Sequence, residues 1–146
     1  MPEKRTVKAA RKARRQGKAP STQAGAFVHE EIEHIREGKH GARSAKQAIA
    51  IGLAKARRAG VKLPPPPATA SERTKRNAAR ETNRRAGKPS AARSRAAKAA
   101  LSDEPRAAAS HQALSRQATA AAKRRGPSAR RAAARKAART RAKRRP

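Results

Sequence analysis

Nine of the chain's thirteen larger apolar residues (Val, Ile, Leu, Met and Phe counted together) fall between positions 27 and 63: Phe27, Val28, Ile32, Ile35, Ile49, Ile51, Leu53, Val61 and Leu63. A chain can bury a core only where such residues are dense, so this distribution confines the candidate domain to residues 21–63. The segment "LPPPPA" that follows closes it, because four prolines in a row cannot continue a helix and favour an extended polyproline spacer. Elsewhere the apolar content is nearly all alanine, with one Phe and no Trp or Tyr in 146 residues. Forty Lys+Arg against nine Asp+Glu give a formal net charge of +31. Few large apolar side chains and a high net charge together predict disorder outside the domain.

Inside it, two helices are signposted. One follows Pro20, with Ser21 or Thr22 as N-cap, and ends at Glu37 before Gly38. At 100° per residue, Ala24, Phe27, Val28, Ile32 and Ile35 share one face, with Glu30, Glu33 and Glu37 opposite. The other opens on Ser44 and Gln47, an S-x-x-Q capping box, and runs to about Ala59 before Gly60. Its packing face is Ala45, Ala48, Ile49, Gly52, Leu53 and Ala56, and the small residues every four positions admit a partner helix at close range. The expected fold is all-α: a short antiparallel helical hairpin, flanked by long, largely disordered basic arms that become helical on a bound polyanion. The expected organisation is an N-terminal arm 1–20, a hairpin 21–63 and a Pro-linked basic tail 64–146. Ile51 projects from the packing face, which points to a homodimer formed through the hairpin. At about 43 residues the hairpin is near the size below which folds usually need a partner or a staple.

The arms are cationic throughout. Residues 1–20 hold eight Lys+Arg and one Glu, and Arg106–Pro146 hold fourteen Lys+Arg and no acid. Arg131, Arg135, Arg139 and Lys143 recur every four residues, so a helix there would align like charges on one stripe, which opposes helix formation in water. The tail is therefore expected as coil until phosphate relieves the repulsion.

Catalytic chemistry finds little purchase. "HEEIEH" comes close to the zinc-binding H-E-x-x-H pattern, but His29 and His34 are five apart, about 140° around a helix, and cannot chelate one ion. Glu31 and His34 form the E-x-x-H unit of di-metal helical bundles, which require a second such unit and two further glutamates. No Ser/His/Asp or Cys/His set, Walker loop or dinucleotide-binding glycine pattern is present. The expectation is no enzyme, no cofactor and no metal. Absence of cysteine removes disulfides and thiolate sites. Glu31 lies at the edge of the apolar face, either as a boundary residue reaching water or paired with Lys46 or Arg43 across the hairpin. The loop "GKHG" matches the backbone-clamping G-x-x-G of KH domains, yet the strands such a domain needs are missing. What remains is a turn where Lys39, His40, Arg43 and the amides at the Ser44 helix start offer a phosphate corner.

Cation density in the arms exceeds what solubility requires and gives salt-dependent, sequence-independent affinity for nucleic acid by counterion release. With no aromatics to stack on bases, backbone contact with duplex DNA is favoured, RNA being the alternative. The residues expected to carry it are Lys4, Lys8, Arg11, Lys12 and Arg15 in the first arm, Lys39 and Arg43 at the turn, and Lys123, Arg124, Arg125, Arg130, Arg131, Arg135, Lys136, Arg139, Arg141, Lys143, Arg144 and Arg145 in the tail. Runs such as "RAAARKAARTRAKRR" and "AARSRAAKAAL" resemble the tails of linker histones and bacterial histone-like proteins, although Arg outnumbers Lys here. The function expected is non-specific DNA binding and condensation. The alternatives are an RNA- or ribosome-associated assembly factor, or a protein-interaction hairpin with polyanion-binding tails. No apolar stretch is long enough for a signal peptide core or a membrane span, so the expected location is cytoplasmic, on the nucleoid.

The segments "PSTQAG", "REGKHGARS" and "KQAIAIGLAKARRAG", within residues 17–63, resemble a family of small basic bacterial proteins that carry a domain of unknown function. The resemblance implies a bacterial source and a helical hairpin, and brings no activity with it.

Overall fold

A computed structural model describes residues 2–83 and 90–143. Among these residues the protein is all-α: α1 (Lys4–Arg15), α2 (Pro20–Arg36), α3 (Ala45–Arg58), α4 (Glu72–Asn83), α5 (Ala91–Ser102), a 3-10 turn (Arg106–Ala109) and α6 (His111–Ala142). The chain divides into two compact units, Met1–Ser110 and His111–Pro146.

Helices α2 and α3 form the expected hairpin. Phe27 and Ala24 meet Ala56 and Val61 at one end, and Ile35 meets Ala42 and Ala48 at the other. Of the small-residue stripe, Ala48, Gly52 and Ala56 are all buried. A Cβ at Gly52 would lie 2.7 Å from Val28 Cα, so the absence of a side chain there sets how closely the helices approach. Ile51, expected to project outward, is partly covered. The helix ends follow local chemistry. Gly38 and Gly60 adopt φ of +78° and +87°, the left-handed conformation that terminates a helix. Ser44 caps α3 by accepting the Gln47 amide at 3.2 Å. In return the Gln47 side chain accepts the amide of Arg43, one residue earlier than in a standard capping box, at 2.7 Å. At the start of α2 the expected cap is corrected. Pro20 occupies the first turn and Ala19 is the N-cap, with no side-chain cap bond, because proline's fixed φ suits that position and it has no amide to satisfy.

The expectation of disordered arms is also corrected. Residues 4–15 are helical and pack on α2 through Thr6 and Ala10, which are buried, and Val7, which leans on the Phe27 cluster. One sizeable apolar residue suffices because its neighbours are small enough to let the helix axes come close. This contact also buries Glu30, expected on the solvent face. Its Oε2 accepts the Glu3 amide at 3.2 Å and so holds the N-terminus of α1.

The segment after α5 joins the same unit. Ala108 and Ala109 are buried against Ile35, Ala42 and Ala48. The Gly41 amide donates to Leu101 O at 2.7 Å and the Ala42 amide to Pro105 O at 3.1 Å. Arg36 Nε donates to Ala109 O at 3.0 Å. A Cβ at Gly41 would lie 1.7 Å from Glu104 O, so only glycine allows this segment to cross the turn. The expected boundary at residue 64 therefore does not separate a hairpin from a free tail. Helix α4 is tied to α3 by Arg58 Nε and Glu81 Oε2, 2.9 Å apart, and α5 buries none of its residues.

The second unit is helical rather than coil. Twelve alanines in α6 supply the highest intrinsic helix propensity, enough to offset repulsion between cations of a few tenths of a kcal/mol per pair. The helix breaks at Gly126, at φ +77° and ψ 169°, just before Pro127, whose ring starts the second half.

Candidate functional site

Two features of opposite charge stand out, and the sequence explains both. The first is the outer face of α1. Its buried side uses positions 6, 7 and 10, which leaves Lys4, Lys8, Arg11, Lys12, Arg14 and Arg15 exposed. Lys4, Val7, Lys8, Arg11, Arg14 and Arg15 line a shallow groove together with Pro2. None of these cations pairs with an acid among the described residues. Arg14 was missing from the expected set, although its place three residues after Arg11 puts it on the same face. In α6, Arg116 and Lys123 border a second depression with Ser115, Thr119 and Ala120. Arg116 was likewise missing from that set. The remaining tail cations expected as contacts, Lys123, Arg124, Arg125, Arg130, Arg131, Arg135, Lys136, Arg139, Arg141 and Lys143, are all exposed. Arg144 and Arg145 lie outside the described residues.

The second feature surrounds the turn between α2 and α3. Five of the nine acids, Glu3, Glu30, Glu31, Glu33 and Glu37, lie on α2, just beyond its end, or against it. Glu31 is 1% exposed. Neither partner expected for it is the one found. Its Oε2 accepts from Lys55 Nζ, nine residues and about two and a half turns further along α3 than Lys46, and its Oε1 faces His40 Nε2 at 3.3 Å. Burial rather than exposure follows from Gly52, which draws α3 close enough for Lys55 to cover the carboxylate. His34 Nε2 and Glu3 Oε1 are 3.1 Å apart. That hydrogen bond holds the Glu3 carboxyl below its ordinary range, with Arg5 contributing. Lys39 Nζ lies 2.8 Å from Glu37. This contact lowers Glu37 and raises Lys39 from their usual values.

Turn residues expected to form a phosphate corner are engaged elsewhere. The Gly41 and Ala42 amides are taken by carbonyls of the crossing segment, and the start of α3 is capped by Ser44 and Gln47. Lys39 points at carboxylates and His40 at Glu31. Arg43 is exposed, with Nε 3.5 Å from Glu104 Oε1. The turn instead draws Glu31, His34 and His40 together, each offering a ligand atom, with those atoms within 4.8 Å of one another. Sequence spacing concealed this trio, because His40 arrives by a reversal of the chain rather than by helical periodicity. The clue available was an E-x-x-H unit followed, across a Gly-flanked turn, by a third potential ligand.

No family model, curated protein or solved structure matches the chain. Among the described residues, no helix is long and apolar enough to cross a membrane.

Proposed function

We propose that this protein binds the phosphate backbone of nucleic acid without reading sequence, with duplex DNA as its principal ligand. The supporting observation is the exposure of unpaired cations on α1 and along α6, the latter in a stretch with no acid at all. Phosphate binding there releases condensed counterions, and the absence of aromatic platforms on either helix leaves little to read bases. The acid-rich turn is unsuited to a polyanion, so Lys39 and Arg43 contribute less than the arms. Compaction of DNA follows when one chain's two cationic helices engage separate duplex segments. A nucleoid location follows from the DNA binding and belongs to the same proposal, whereas the family resemblance adds no activity to it.

Affinity for a random-sequence duplex, measured across a salt series, tests it. The logarithm of the binding constant should fall linearly with the logarithm of salt, by about 0.9 per phosphate neutralised. An affinity that does not change with salt would overturn the reading. Competition with ribosomal RNA decides between the two polyanions, since an RNA preference of tenfold or more moves the function to RNA assembly.

A further inference from the structure

We propose that Glu31, His34 and His40 bind one divalent transition-metal cation of the zinc class, which pins the α2–α3 turn to the body of α2. Three side chains from a helix and a turn converge here, with their ligand atoms within 4.8 Å. Two imidazoles and a carboxylate are a donor set that zinc accepts, in tetrahedral geometry with the fourth position open to water.

The hydrogen bonds around the trio point the same way. His40 Nδ1 faces the Gly41 carbonyl at 3.1 Å and its Nε2 faces Glu31 Oε1 at 3.3 Å. Both partners can only accept, while a neutral imidazole has a single N–H to donate. The ring meets both acceptors only with a proton on each nitrogen, or with one proton and a metal ion shared across the Nε2–Oε1 gap. The Gly41 carbonyl then serves as the outer partner that orients a metal-ligating histidine. Glu3 plays that part for His34, with Oε1 3.1 Å from the ring. Lys55 holds the other oxygen of Glu31 and leaves Oε1 turned toward His40. His29 is exposed and takes no part, which agrees with the helical geometry that separates it from His34.

The test uses the full chain, stripped of metal by chelator and freed of nucleic acid in high salt, because bound phosphate would itself take up metal. Calorimetric titration with Zn2+ should show one saturable site per chain, and the melting temperature should rise with Zn2+ concentration. His40→Gln and His34→Gln should each abolish the site. Glu3→Gln should weaken it by about 10-fold or more, while His29→Gln and His111→Gln leave it intact. Histidine ring resonances of the unaltered protein give a readout that needs no variant: Zn2+ should shift those of His34 and His40 only. Absence of saturable uptake, uptake that survives both His34→Gln and His40→Gln, or shifts confined to His29 and His111 would each overturn the assignment.

Discussion

Helices α2 and α6 are both helical for most of their length, yet different physics makes them so. Helix α2 is held by its neighbours: Phe27 and Ile35 are fully buried, and its acids meet Lys55, His40 and the start of α1. Helix α6 buries none of its residues and relies on alanine propensity alone. One helix is determined by tertiary contact and carries a concentration of acid; the other is determined by composition and carries only base. The contrast teaches that charge has been sorted by structural duty. Acids on the packed helix α2 meet bases, whereas the cations of the unpacked helix α6 stand exposed, which is what the proposed backbone binding rests on.

That contrast can be broken from either side. Phe27→Ala should have the largest effect, a loss of about 3–5 kcal/mol from unit 1, seen as collapse of its cooperative thermal transition by circular dichroism. The salt slope of DNA binding contributed by α6 should persist in that variant. Gly52→Ala places a methyl group where Val28 stands and should cost about 1–3 kcal/mol, read as a lower melting temperature. If Gly52→Ala melts like the parent, the close helix approach does not exist. Ser44→Ala removes the α3 cap and should cost about 1 kcal/mol by the same measurement. Arg135→Ala gives the smallest change, a gain in α6 helicity of about 0.2–0.5 kcal/mol for each like-charge contact with Arg131 and Arg139 that is relieved. It should also reduce the DNA salt slope by about 0.9. A substitution on α2 that alters that slope as strongly would erase the distinction between the two helices.

The hairpin was readable because its signals are local. Gly38, Ser44, Gln47 and Gly60 mark ends by their own chemistry, and the Ala48, Gly52 and Ala56 spacing announces a close helix contact. What escaped was carried by alanine and by chain reversal. Ala108 and Ala109 cover the turn, but they sit in an Ala-rich stretch that composition marks as featureless. Thr6 and Ala10 dock α1 with surfaces too small to register as an apolar face. Glu30 and Glu31 were assigned to solvent or its edge by periodicity, which describes one helix and knows nothing of the element laid across it. The His40 encounter with Glu31 depends on the path of four turn residues, and no linear spacing encodes that path.

The break at Gly126 gives the tail two rods in place of one. The fifteen residues before it and the sixteen after it in α6 each span about 22–24 Å at 1.5 Å per residue, less than one turn of a duplex. A single straight rod of double that length would leave the curving phosphate path before its end. Under the proposed backbone binding, two rods set apart at Gly126 would follow a winding groove that one straight helix would leave.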